Sequence, residues 1–145
     1  MKKFHFRLET VRRVREIQDE LARGELMTAN HALAQAAAIV DERTAKITNA
    51  TRQLGTTSVD AFACAQFVID QAAAAVRWAE RDREAAVAVA DERRLLWFEA
   101  NTKLRAIERL RDTARDEHHA AMLRAEATDN DEIATMRHRA KALMS

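Results

Sequence analysis

Gly55-Thr56-Thr57-Ser58 is the short polar stretch that decides the fold of this 145-residue chain. It interrupts a sequence that has no proline and only two glycines, Gly24 and Gly55. Proline removes a helix hydrogen-bond donor and glycine costs backbone entropy, so their scarcity permits very long helices. Gly55 suits the position after a helix end, and Thr57 or Ser58 suits the cap of the next helix. The sequence therefore predicts two long helices joined at this stretch.

Apolar residues recur at alternating spacings of three and four on both sides of the turn, which is the period of a coiled-coil seam. The first seam begins at Leu26, and a change of phase is expected near Gly24. It consists of Leu26, Ala29, Leu33, Ala36, Val40, Arg43, Ile47, Ala50 and Leu54. The second seam, which includes Phe62, Ala79, Ala90 and Leu104, is longer and rich in alanine, and small side chains let two backbones approach closely. This pattern predicts an all-α fold, an antiparallel two-helix coiled-coil hairpin with a longer second helix.

The predicted hairpin is a single domain over residues 1–145. Its first helix spans about 4–54 and its second about 59–127, with the turn at residues 55–58 between them. Because residues 128–132 are polar, a short C-terminal helix or a frayed tail is expected over about 130–143.

Folding about the turn also predicts which residues of the two helices lie opposite each other. The numbers of paired residues should sum to roughly 113 in an antiparallel coiled coil closed at this turn. Ile17 should then face Trp97, and Leu8 should lie near Leu104 and Ile107.

Composition and spacing argue against several function classes. The chain has 24 basic and 23 acidic residues, so no strong field draws it to nucleic acid or to anionic lipid. A single cysteine, Cys64, fits a reducing compartment, and no signal peptide or uninterrupted apolar span is apparent. Adjacent His118 and His119 point in different directions and cannot share one metal ion. We expect a soluble cytosolic protein that is not an enzyme and has no metal or cofactor.

Two surfaces stand out as candidate partner sites. The first is a basic cluster expected where the open ends of the two helices meet, and arginine suits acidic partner loops because it binds carboxylates in a bidentate manner. The cluster comprises Arg7, Arg12, Arg13, Arg15, Arg105, Arg109 and Arg111. The second is an apolar stripe on the outward side of helix 2, of the kind that marks a partner surface. The outer stripe comprises Phe67, Gln71, Ala74 and Trp78.

Both ends of the predicted hairpin carry motifs that resemble those of the FliJ family of flagellar export proteins. The motifs are Phe4-His5-Phe6-Arg7-Leu8-Glu9-Thr10-Val11, Arg15-Glu16, Trp97-Phe98-Glu99-Ala100, Lys103-Leu104, Ile107-Glu108-Arg109-Leu110-Arg111 and Asp131-Glu132-Ile133-Ala134. The resemblance implies a cytoplasmic stalk of the flagellar type III export apparatus, at the inner membrane through its partners only. Those partners would be the hexameric export ATPase FliI, the export gate protein FlhA and export chaperones.

The resemblance also assigns roles to the two surfaces. It implies that the basic cluster enters the ATPase ring and that the outer stripe contacts the gate, although Gln71 stands where the family pattern has an aliphatic residue. A generic structural coiled-coil tether that self-assembles is the alternative, and a membrane-surface scaffold is a third class. Light scattering separates the stalk from the tether, since a monomer favours the stalk and a stable tetramer favours the tether.

Overall fold

The computed structural model describes residues 3–53 and 58–144. Helix α1 spans Glu9–Gln53 and helix α2 spans Val59–Leu143, and the described residues contain no strand. The two helices pack against each other, which confirms the predicted all-α hairpin with a longer second helix. Ser58 directly precedes α2 and its carbonyl accepts a 2.9 Å hydrogen bond from the backbone N–H of Phe62. The predicted roles of Gly55 and Thr57 lie outside the described residues.

Helix α1 begins at Glu9 and not at residue 4 as the sequence predicted. The carbonyl of Leu8 accepts the 2.9 Å hydrogen bond from the Arg12 N–H, and the Glu9 N–H donates to the Phe6 carbonyl at 3.2 Å. The preceding residues leave the helical path because the Phe4 ring packs edge-on against the His118 ring of α2, with centroids 5.6 Å apart. This aromatic contact replaces the first predicted turn of the helix.

Helix α2 continues without a break to Leu143, so no separate C-terminal helix forms over about 130–143, and a frayed tail there stays a prediction. The polar residues of this segment remain helical because none of them removes a backbone donor. Thr128 donates its hydroxyl to the Arg124 carbonyl at 3.0 Å, and Thr135 donates to the Asp131 carbonyl at 2.8 Å. The hydroxyls are thus satisfied by carbonyls of the same helix.

The chain divides into two compact units. Unit 1 comprises Met1–Glu16 with Thr102–Ser145, and unit 2 comprises Ile17–Asn101. A single domain over residues 1–145 therefore stays a prediction, and each unit is described by itself.

Unit 2 is held by a narrow seam between its two helices and has no layered interior. Its buried residues among those described are Ala29, Val40, Ala79 and Ala90. Three of these four are alanines, and Ala90 has no exposed surface. Small side chains at these positions let the helix backbones approach closely, as the alanine-rich pattern predicted. The predicted seam positions Arg43 and Phe62 are exposed and do not contribute to the buried seam.

The register of unit 2 differs from the predicted one. Arg93 Nη1 lies 2.8 Å from Glu25 Oε2, and Asn101 Nδ2 donates a 3.0 Å hydrogen bond to Asp19 Oδ1. The residue numbers of these pairs sum to 118 and 120, whereas the sequence predicted roughly 113. The difference is close to one heptad, because a seam with a seven-residue repeat nearly superimposes on itself when one helix slides by seven. The predicted pairing of Ile17 with Trp97 is therefore wrong.

The predicted change of phase near Gly24 is also wrong, because the seam of α1 continues in the same heptad register toward its N-terminus. Asp19 and Ala22 are half-buried at the next seam positions, while Ile17 and Leu21 are exposed. A polar residue thus occupies the seam here, held by its hydrogen bond to Asn101. The apolar side chains of the same segment remain on the solvent side.

Gly24 lies inside α1 in ordinary helical conformation without positive φ. A Cβ atom built at this position would meet no other atom within 4 Å. A glycine in a helix interior costs about 1 kcal/mol relative to alanine. Nothing in the packing of the described hairpin requires that cost.

Unit 1 has Leu104 as its one buried side chain among the described residues. The same unit contains half-buried residues from both of its chain segments, namely Phe4, Ile107, Ala114 and His118. Leu8 is exposed and lines a groove with Leu110, Ala114 and His118. Leu8 was predicted to lie near Leu104 and Ile107, so its observed neighbours lie further toward the C-terminus of α2, as the observed α2 partners do in unit 2.

Candidate partner-binding surfaces

Arg12, a member of the predicted basic cluster, is engaged inside unit 1. Its side chain is only 15% exposed and lies 2.8 Å from Glu9 and 3.1 Å from Glu16. Hydrogen bonds to Glu9 are the main reason that the pKa of Arg12 is raised. Because its donors already serve two carboxylates, Arg12 acts as an internal brace of the α1 N-terminus and is a poor candidate for partner contact.

The structure gathers three other arginines around one shallow pocket of about 390 Å³ in unit 1. Arg13 and Arg111 belong to the predicted cluster, whereas Arg115 does not. Arg13 is largely exposed, with its Nε 3.8 Å from Glu9 Oε1, and Arg115 lies 3.8 Å from Asp112. These contacts are long, so the guanidinium groups keep most of their donors for an external carboxylate. His5 also lines this pocket, which we call the basic pocket.

The remaining predicted arginines lie apart from the lining of the basic pocket. Arg7 lines the neighbouring groove with Phe4, Phe6 and Leu110. Arg15 is half-buried, whereas Arg105 and Arg109 are exposed. Arg115 was missed although it lies four residues after Arg111, a spacing that places two residues on one face of a helix.

The Glu9 carboxylate is the one acid that lines the basic pocket, and its environment favours the ionised form. Hydrogen bonds from Arg12 lower the pKa of Glu9 below its ordinary value of 4.5, and the charges of Arg12, Arg111 and Arg13 act in the same direction. A carboxylate with a lowered pKa in the folded state stabilises that state above its unfolded pKa. Its contribution is lost as the pH falls through the folded pKa.

We therefore expect Glu9→Gln to lower the stability of the protein at pH 7 and to reduce its loss of stability on acidification. The variant and the natural chain should converge as the pH falls below about 4.5, since the ordinary carboxylate pKa lies there. Urea unfolding followed by circular dichroism from pH 7 to acid measures this. Glu108→Gln, an exposed acid of the same unit, is the matched control and should keep the natural pH dependence. An unchanged pH dependence in Glu9→Gln would contradict the assignment.

The outer stripe lies in unit 2 and is exposed as the sequence predicted. Phe67 and Trp78 are each 65% exposed, Gln71 is exposed and Ala74 is half-buried. Their spacing places them on one outward side of α2, away from the buried alanines of the seam. Two large aromatic residues in solvent on a single helical stripe are unusual for a surface without a partner.

Arg81 adds a cation to the outer stripe that was not predicted from the sequence. Its guanidinium carbon lies 5.1 Å from the centroid of the Trp78 ring, within cation–π distance. Arg81 follows Trp78 by three residues, so helical spacing could have revealed the pair. A partner that covers Trp78 would therefore also meet a positive charge.

The described residues offer no metal cluster of three or more histidine, cysteine or acidic side chains. Cys64 is exposed, and His118 packs on Phe4 instead of facing solvent.

Helix α2 contains an 18-residue window of mean hydropathy 1.3, none of it buried, so by length and composition alone it could cross a membrane. The sequence predicted no membrane-spanning segment, because no run approaches 18 consecutive apolar residues. Length and composition alone do not show that α2 spans a membrane.

Comparison with known proteins gives one match that covers almost the whole chain. The family model described as "Flagellar FliJ protein" matches residues 4–143. No curated protein and no solved structure matches the chain.

Proposed function

The chain belongs to the FliJ family and is thereby a component of the flagellar protein-export apparatus, and we propose that it acts there as a non-catalytic stalk and adaptor. The observation that carries this proposal is the helical hairpin itself, matched to the family over residues 4–143. A pair of long helices without a deep cavity offers surfaces for partners and no enclosed site for chemistry. Function then depends on holding partners at defined places along the helices.

The first proposed partner is the export ATPase ring, bound through the basic pocket of unit 1. Arg13, Arg111 and Arg115 present guanidinium groups at its lining. Acidic loops of a ring would pair with these groups, and bound ring subunits would be drawn together into the active assembly. Within the predicted cluster, we assign the contact to Arg13 and Arg111, with Arg115 added, because Arg12 is occupied by its own carboxylates.

The second proposed partner is the export gate protein, bound through the outer stripe of unit 2. Phe67 and Trp78 supply the aromatic anchors, and the Arg81 guanidinium lies against the Trp78 ring. Buried aromatic residues commonly carry most of the energy of an interface. Gln71 replaces the aliphatic residue of the family pattern, so the affinity should rest on the two aromatics. Handling of export chaperones and a place at the cytoplasmic face of the inner membrane complete the proposal.

The test combines the chain with its cognate export ATPase and gate protein. The natural chain should raise ATPase activity and promote ring assembly at micromolar concentration. Arg13→Ala/Arg111→Ala should reduce the stimulation of the ATPase and leave gate binding unchanged. Phe67→Ala/Trp78→Ala should reduce gate binding and leave the stimulation of the ATPase unchanged. Phe98→Ala removes a similarly exposed aromatic residue from another side of α2 and should alter neither.

Two outcomes would contradict the proposal. One is a folded chain that changes neither the activity nor the assembly of the ATPase. The other is a stable tetramer in sedimentation experiments, which would support a self-assembling tether instead.

A further inference from the structure

A lateral groove in unit 2 is separate from the outer stripe described above. Its floor is made of small residues of α1, Gly24, Ala29 and Ala32, and its walls are Leu21 of α1 and Val89 of α2. The groove has a volume of about 590 Å³ and is open to solvent. Leu21 and Val89 are both exposed although they are apolar. The helix pair of unit 2 therefore leaves part of its apolar surface uncovered.

This apolar surface continues along the same side of the helix pair. Ile39 follows Ala32 by one heptad on α1, and Leu96 follows Val89 by one heptad on α2, so both lie on the same side as the groove. Ile39 and Leu96 are exposed too. A second groove lies on this side of unit 2 and is more polar, because Glu42, Arg43 and Lys46 line it together with Ile39, Ala72 and Ala75. The opposite side carries mainly polar residues, which include Arg23, Asn30, Thr44, Gln66, Glu80 and Arg94.

Gly24 gives a second and independent sign of an external contact. The helix bears the cost of a glycine at this position, yet a side chain here would meet nothing within 4 Å inside the protein. A glycine on a helix surface allows another backbone to approach closely, which no larger residue permits. Thr28 and Ala32, four and eight residues further on, keep the same stripe narrow.

The charges around the groove indicate the chemistry of what binds there. Glu25 is already paired with Arg93 at 2.8 Å. Glu20 lines the α1 rim, and Glu92 lies on α2 between Val89 and Leu96 on the helical stripe that they share. Neither Glu20 nor Glu92 forms an ion pair within residues 3–53 and 58–144. The α1 rim of the groove thus presents an unpaired carboxylate, and a second one lies on α2 next to the lining residue Arg93.

We propose that the lateral groove binds one amphipathic helix of a partner protein, with an apolar stripe of small and aliphatic residues flanked by lysine or arginine. From Glu20 to Ala32 the groove extends for about 18 Å, which a helix of about 12 residues covers. The apolar stripe packs against Leu21 and Val89, and its narrow part lies over Gly24. The flanking cations face Glu20 and Glu92. This site goes beyond the contacts with the ATPase and the gate.

Two synthetic helical peptides of about 14 residues test the proposal on the full chain. They have the same apolar stripe, which is flanked by lysine in one peptide and by glutamate in the other. Fluorescence anisotropy measures their binding. The lysine peptide should bind, and the glutamate peptide should bind at least about tenfold more weakly. Leu21→Asp should weaken binding of the lysine peptide by about tenfold or more. Met27→Asp is the matched control, because Met27 is also 65% exposed and does not line the groove. Circular dichroism verifies that both variants remain helical.

Two further variants separate binding from folding. Gly24→Ala should raise the melting temperature of the free chain and weaken binding of the lysine peptide. A purely structural role of Gly24 does not give this combination. Glu20→Gln/Glu92→Gln should weaken the lysine peptide and reduce the salt dependence of its binding.

Several results would overturn the proposal. They are the absence of binding by the lysine peptide, equal binding of both peptides, equal losses in Leu21→Asp and Met27→Asp, or sedimentation showing that a second copy of the chain fills the groove. None of these bears on the stimulation of the ATPase, so failure here is distinguishable from failure of the proposed function.

Discussion

Replacing Leu104 by alanine should lower the free energy of unfolding of unit 1 by about 2–4 kcal/mol. Leu104 is only 8% exposed and is the one buried side chain among the described residues of that unit. Its loss removes apolar burial and leaves a cavity that a two-helix seam has few neighbours to fill. Urea unfolding followed by circular dichroism measures the overall change. Amide hydrogen exchange of residues 102–122 reports it locally.

Leu110→Ala is the matched control for this prediction. Leu110 lies in the same helix and the same unit but is 54% exposed. Its truncation should change the free energy of unfolding by no more than about 0.5 kcal/mol, as surface substitutions usually do. Similar losses in Leu104→Ala and Leu110→Ala would mean that Leu104 does not hold the seam of unit 1.

Ala90→Leu should lower the free energy of unfolding of unit 2 by about 1–3 kcal/mol. Ala90 has no exposed surface and lies in the seam where α1 and α2 pack against each other. A larger side chain forces the backbones apart, and the separation weakens the Glu25–Arg93 and Asp19–Asn101 contacts, which both involve α2 residues that follow Ala90. The effect should appear in the urea midpoint and in faster hydrogen exchange near both pairs.

Ala88→Leu provides the comparison, since Ala88 is exposed two residues earlier on the same helix. Leucine and alanine have similar helix propensities, so this variant should stay within about 0.5 kcal/mol of the natural chain. An Ala90→Leu variant as stable as Ala88→Leu would contradict close packing of the two helices at Ala90.

The element types and much of the seam could be predicted from the sequence because helical periodicity is a local property. Val40 and Ala79 are buried where the heptad pattern placed them, and the Phe67 and Trp78 rings are exposed on the outer side. The pattern depends only on spacing along one helix, so it identifies a face reliably. It contains no information about how far the second helix is displaced along the first.

The features that the sequence did not reveal depend on contacts between distant residues. The Asp19–Asn101 hydrogen bond places a polar residue in the seam where an apolar residue was expected. The Phe4–His118 contact moves the start of α1 to Glu9. In each case the partner lies on the other helix, and hydrophobic spacing does not encode it.

The candidate sites likewise include features that spacing along one helix predicts and features that depend on neighbouring side chains. Side chains exposed by their heptad position were identified from spacing alone, as Trp78 was. Whether a charged residue remains available to a partner depends on its competition with nearby carboxylates. Arg12 is occupied by Glu9 and Glu16, whereas Arg13 on the next position is largely exposed.

Cross-linking across the hairpin tests the antiparallel register most directly. In a Cys64→Ala background, Asp19→Cys/Asn101→Cys should be joined rapidly by a short bismaleimide, because these side chains are hydrogen-bonded at 3.0 Å. Asp19→Cys/Arg94→Cys represents the register expected from the turn alone and displaces one thiol by about 10 Å along α2. We predict efficient intramolecular cross-linking of the first pair and little of the second. Preferential cross-linking of the second pair, or none within a single chain for either, would contradict the antiparallel packing described for unit 2.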